Sequence, residues 1–144
     1  MANSLFIDTD VILDIVLDRK EFYVDSSAIF QKFENGEVLL FTSTSIIINA
    51  QYVGQKKVPK ERCRSTISYL LNYFIIIEAD ISVVKQAYQS KFNDMEDAIQ
   101  YYTASKNGTI DFFITRNVKN FKSGGNVLPV LTPTQFIKHH KQNL

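Results

Sequence analysis

The chain has 144 residues, 45% hydrophobic and 22% charged, enough for one domain with a full core and unlike the polar composition of a disordered segment. Its formal net charge of +1 excludes the broad cationic surface of a protein that coats nucleic acid without selectivity, so any nucleic-acid site must be local. A single cysteine, Cys63, excludes an internal disulfide and a cysteine-only zinc site. With no apolar run of membrane-spanning length and no secretory pattern in MANSLFIDTD, a cytoplasmic location is expected.

In chain order, Leu5-Phe6-Ile7 reads as a short strand ending at Asp8-Thr9-Asp10, and Val11, Ile12, Ile15 and Val16 switch to helical spacing. Ser26 to Phe33 predicts a second helix, stopped by Asn35-Gly36, and Val38 to Phe41 a buried strand. Thr42 to Ser45 supply caps for a helix over Ile46 to Val53, and Pro59 opens another whose stripe is Ile67, Leu70, Leu71 and Phe74. Phe74 to Ile77 is strand-like, with Glu78 just beyond it. Asp80 to Tyr88 and Asp94 to Lys106 follow as helices, the latter stopped by Asn107-Gly108. Asp111 to Thr115 and Val127 to Leu131 read as strands, and Thr132-Pro133-Thr134 opens a last helix. Basic clusters at Lys56 to Arg64 and in the tail read as solvated helix faces, and the adjacent His139 and His140 as solvated too.

Four or five short apolar strands separated by helices argue for a single domain over residues 1–144, a three-layer α/β/α fold with a mainly parallel sheet. In such sheets, sites form beyond the carboxyl ends of the strands. That rule selects Asp8 and Asp10, Thr42 to Ser45, Glu78, Thr115 to Asn117 and Thr132, together with the helix start at Asp94 to Asp97.

Each acidic group has a plainer explanation. Asp8 or Asp10 suits the cap of the first helix, and Asp94 with Asp97, at i and i+3 on one helix face, suits a capping pair. Capping leaves a local surplus of negative charge, however, and clustered carboxylates are the donors that Mg²⁺ or Mn²⁺ prefers for phosphodiester hydrolysis. A carboxylate not fully engaged with metal, Asp97 or Asp94, would orient water or accept its proton. No serine, cysteine or histidine arrangement offers a comparable nucleophile. The loop Thr115, Arg116, Asn117, Lys119, Asn120 suits phosphate, with turn formation as the alternative; Asp111, before its strand, belongs at the opposite sheet edge as a structural residue.

The segments FIDTDVILDIVLDR, NDMEDAIQYYTA and DFFITRNVKNF together resemble the PIN-domain family, in its branch of VapC-like toxins, over residues 5 to 121. The resemblance implies Asp8 as first metal ligand, Asp97 in the central acidic role with Asp94 beside it, and Thr115, Arg116 and Asn117 at the substrate phosphate. It also implies an Mg²⁺- or Mn²⁺-dependent endoribonuclease acting on single-stranded RNA, an antitoxin partner and a homodimer. Two positions depart from the family pattern: the early-helix acid aligns with Asn49, and the acid of the last motif with Asn117 or Asn120. Each neutral replacement weakens cation binding. Two other readings stand beside this one: a catalytically weakened PIN-like module that binds RNA or protein, and a phosphoreceiver-like domain, for which Ile114-Thr115-Arg116 lacks the required lysine.

Overall fold

The computed structural model describes residues 2–125 and 127–142. Five strands, β1 (Asn3–Ile7), β2 (Val38–Thr42), β3 (Phe74–Ile76), β4 (Phe112–Ile114) and β5 (Val130–Leu131), form one sheet in the order β3-β2-β1-β4-β5. Every pairing is parallel, with Leu5 opposite Leu40 and Phe112, and Phe6 opposite Phe41 and Phe113. The helices are α1 (Thr9–Val16), α2 (Lys20–Glu34), α3 (Thr44–Gly54), α4 (Lys60–Leu70), α5 (Ile81–Gln89), α6 (Met95–Asn107) and α7 (Pro133–Gln142). Consecutive side chains on a strand point to opposite faces, and Leu5, Phe6 and Ile7 are all fully buried, so the central strand is covered on both sides. This is the α/β sandwich that the strand–helix alternation predicts.

The aromatic content packs mainly on one side of β4. Phe113 stacks on Phe6 at 5.2 Å and meets Phe121 at 4.6 Å, while Tyr101 closes against Phe92, Phe113 and Phe121. The buried Tyr101 hydroxyl donates to Leu128 O at 3.0 Å and accepts from Leu128 N–H at 2.9 Å. That exchange explains why the last strand begins at Val130 and not at Val127. Leu128 has spent its backbone groups on a side chain, and Pro129 has no N–H to give.

Other boundaries shift for equally local reasons. α2 starts at Lys20, six residues before the apolar pattern shows, and the Arg19 carbonyl accepts from both Phe22 and Tyr23 to begin it. Val118–Gly124, expected as plain loop, winds into 3₁₀ turns that bury Phe121. The C-terminal histidines differ: His139 is exposed, as expected, and His140 is not. His140 is buried and stacked on Phe136, and His139 meets the edge of Phe112 at 5.1 Å. Leu71, placed in an apolar stripe by spacing, is exposed, whereas Cys63 is fully buried and packed against Gly54. Asp111 accepts from Ser4 N–H at 2.8 Å, at the edge opposite the acidic cluster.

Candidate active site

Asp8 leaves β1 as the N-cap of α1, its Oδ1 accepting from Thr9 N–H at 2.8 Å. Capping uses one oxygen. The other faces the tip of β4, where the Thr115 hydroxyl lies 2.9 Å from Asp8 Oδ2 and 3.2 Å from Asp10 Oδ2, so one proton is shared between two carboxylates. Asp10 Oδ2 also accepts from Arg116 N–H at 3.0 Å and from Asn117 Nδ2 at 3.3 Å, while Asn117 N–H donates to Thr115 Oγ1. The parallel pairing of β1 with β4 ends both strands at one level and so brings residues 107 apart in sequence into contact.

Asp97 reaches the same region from the first turn of α6. Its N–H donates to the capping carboxylate of Asp94 at 3.0 Å, the plainer arrangement foreseen for this pair, and its own Oδ2 accepts from Asn120 at 3.4 Å. Asp94 is exposed and has one oxygen committed to the cap. Asn49, aligned with the family's early-helix acid, donates through Nδ2 to the carboxylate of Glu96. Ser43 and Ser45 are tied instead to Gln100, by Ser43 Oγ at 2.7 Å and Gln100 Nε2 at 2.5 Å, in a cleft of about 540 Å³ whose lining includes Glu78 and Glu96 but none of Asp8, Asp10, Asp94 and Asp97.

The electrostatics of the group are those of carboxylates buried first and crowded second. Burial and then the charge of Asp10 push Asp8 well above the ordinary range, against the opposing pull of Thr9 N–H and the Thr115 hydroxyl. Asp10 is raised by burial against the opposing pull of the Arg116 N–H and charge. Asp97 is raised to about 6 by burial, then by Asp94 and Glu96, with Asp10 adding to the same effect. Asp8, Asp10 and Asp97 therefore act on one another's charge.

Whether this set suits a hard cation rests on its chemistry. Asp10 Oδ1 is buried without a hydrogen-bond partner, and the site offers oxygen donors with an excess of negative charge. Among the described residues no three Asp, Glu, His or Cys side chains are already gathered as a finished metal cage. The donors fit Mg²⁺ or Mn²⁺ by kind, and the orphan oxygen is the atom with the most to gain.

Two residues of this region escaped sequence reasoning. Asp14, fully buried on α1, accepts from Ser26 Oγ at 2.8 Å and lies 3.1 Å from Arg116 Nε and 3.6 Å from Arg19 Nη1. A lone acid inside the apolar run Val11 to Val16, four residues after Asp10, was the available signal. Gln100 was the other, three residues after Asp97 on the same helix. The guanidinium of Arg116, expected at phosphate, is turned toward Asp14 and lies 4.1 Å from the centroid of the Phe22 ring; only its backbone N–H touches the carboxylate pair.

Residues 4–119 match the family described as PIN domain. Over 140 residues the chain is 29% identical to Ribonuclease VapC1 of Aquifex aeolicus (strain VF5), covering 94% of each protein. Its fold is similar to a chain in the crystal structure of VapBC2 from Rickettsia felis bound to a DNA fragment from their promoter. The TM-score there is 0.68 at 15% identity, over 90% of this chain and 98% of that one. The match extends from the first buried strand through the Thr115 loop, taking in Asp8, Asp10, Asp94 and Asp97, and the chain belongs to the PIN domain family.

Proposed function

We propose that the chain is a divalent-metal-dependent endoribonuclease acting on single-stranded RNA, and the toxin half of a toxin–antitoxin pair. The observation that carries this reading is the convergence of Asp8, Asp10 and Asp97 at the C-terminal sheet edge, with a buried carboxylate oxygen left unpartnered. The ribonuclease relative from Aquifex aeolicus, matched along nearly its whole length, supports the same activity, and the VapBC2 neighbour supports an antitoxin partner.

In this reading Asp8 and Asp97 hold Mg²⁺ or Mn²⁺, and Asp94 supports Asp97 through the cap it forms. The bound cation supplies phosphate polarisation and a water of lowered pKa. The protein's own residues do the rest. In metal-free protein Asp97 is raised to about 6, and an Asp97 oxygen not engaged with the cation would orient the attacking water. The Thr115 hydroxyl keeps Asp8 and Asp10 at a fixed separation, and Asn117 and the Arg116 loop border the place where a phosphate would rest. Ile48 and Tyr52, large and exposed on α3, suit burial against a second copy of the chain in a homodimer.

A second reading is favoured by Asn49 and Asn117, neutral where the family pattern carries acids and each donating its amide to a neighbouring carboxylate, Glu96 and Asp10. Under it the chain is a catalytically weakened module that binds RNA or a protein partner. Titration of Mn²⁺ into wild type and Asp97→Asn, paired with cleavage of an unstructured RNA, separates the two. Saturable binding and cleavage lost together in the mutant support the nuclease. Wild type that binds no Mn²⁺ and cuts no RNA leaves the module.

A further inference from the structure

We propose that Asp14 is a positioning residue for the candidate active site, acting through Arg116 to hold the loop that clasps Asp10 and Asp8. The inference rests on the nuclease reading, since it gives Asp14 a part in that site. Asp14 stands one helical turn after Asp10 on α1, with no side-chain exposure, among Val11, Ile12, Leu13 and Val16. An aliphatic residue would pack there at no desolvation cost, and replacement of a buried ion pair by apolar groups of like volume is often neutral or stabilising. Folding alone therefore gives little reason for an acid at this place.

The contacts of Asp14 supply another reason. Ser26 Oγ donates to Oδ2 at 2.8 Å, and the Arg116 and Arg19 guanidinium groups approach Oδ1 at 3.1 and 3.6 Å. The approach of Arg116 Nε is an ion pair without hydrogen-bond alignment, so charge and not donor geometry holds it. The far side of the Arg116 guanidinium is closed by the Phe22 ring. Its side chain is thus fixed at one end of α1 while its own N–H donates to Asp10 Oδ2, one turn earlier on the same helix. The loop is moored twice to α1, once through its main chain and once through its side chain. On either side of Arg116, Thr115 and Asn117 make their bonds to the two carboxylates.

The test uses the full chain as wild type, Asp14→Asn, Arg116→Gln and the double variant. Asp14→Asn keeps an acceptor for Ser26 and removes only the charge. Two quantities are read: amide hydrogen exchange in metal-free protein, and kcat and KM for Mn²⁺-dependent cleavage of an unstructured RNA. In Asp14→Asn, exchange at the Arg116 and Asn117 amides should rise about tenfold or more while the amides of β1 keep their protection. The same variant should lose about tenfold or more in kcat with KM little changed, because the reacting groups and not the RNA surface are displaced. The double variant should be no worse than the worse single one, since both act through one contact.

Unchanged exchange at Arg116 would overturn the proposal, as would a rise spread evenly over α1 and β1 or kcat losses that multiply in the double variant. If Asp14→Asn does not fold, Arg116→Gln, altered at a partly exposed side chain, carries the same comparison alone. A wild type that cleaves no RNA removes the nuclease reading, while the exchange data still decide whether Asp14 holds the loop.

Discussion

Replacing Asp97 by asparagine removes a charge the fold holds at a cost, so in metal-free protein the variant should be more stable than wild type. Asp97 rises from an ordinary 3.8 to about 6, roughly 2 units, each worth about 1.36 kcal/mol. That gives ~3 kcal/mol, which solvent screening at a partly exposed carboxylate reduces to ~1.5 kcal/mol. In a domain of this size the gain amounts to a melting temperature higher by about 4 °C. The sign follows from linkage. The folded state binds the Asp97 proton more tightly than the unfolded chain does, so the penalty is absent below the unfolded pKa and complete above about 6. Thermal unfolding followed by circular dichroism in EDTA, at pH 4 and pH 7.5, should therefore show the variant ahead at the higher pH and nearly level at the lower. Added Mn²⁺ should raise wild type more than the variant. A variant no more stable at pH 7.5, or a difference independent of pH, refutes the argument that burial, with the charges of Asp94 and Glu96, penalises the Asp97 carboxylate.

Three further outcomes follow from contacts at or near the site. Thr115→Val keeps the shape of the side chain but strips the proton shared by Asp8 and Asp10, and RNA cleavage should fall about tenfold with an unchanged far-ultraviolet spectrum. A full rate in that variant would show that the shared proton is dispensable. Tyr101→Phe leaves both the N–H and the carbonyl of Leu128 buried without their partner, costing about 2 to 4 kcal/mol in denaturant titration. Gly124→Ala drives a methyl group to 2.4 Å from Tyr101 Cε2, and the resulting shift of a packed ring should cost about 1 to 3 kcal/mol.

The strands and most helices were legible because β1, β2 and β4 are short apolar runs followed by caps, and parallel sheets demand that pattern. Asp8, Asp97 and Thr115 were legible for a related reason: each sits one or two residues past a strand or at a helix start. What could not be read were the partners that side chains choose across the sequence. Tyr101 cut short the last strand by taking the backbone of Leu128, and Asp14 drew the Arg116 guanidinium away from the position expected of a phosphate ligand. His140 looked solvated in a polar tail and is covered because α7 packs back on α2 and turns its histidine inward. Periodicity reports which face is buried, not which distant group comes to meet it.

The Thr115 hydroxyl and Asp8 are separated by 107 positions, and Arg116 and Asp10 by 106, so the acidic pair has no clasp until the fourth strand has docked beside the first. During synthesis Asp8 is made 107 residues ahead of Thr115. A ribosome-bound fragment carrying α1 and β2 therefore holds carboxylates without the loop that spaces them, and loop closure over that span is slow compared with local helix formation. For a protein that cuts RNA, such an arrangement postpones competence until the Thr115 loop has been made and has docked beside the first strand.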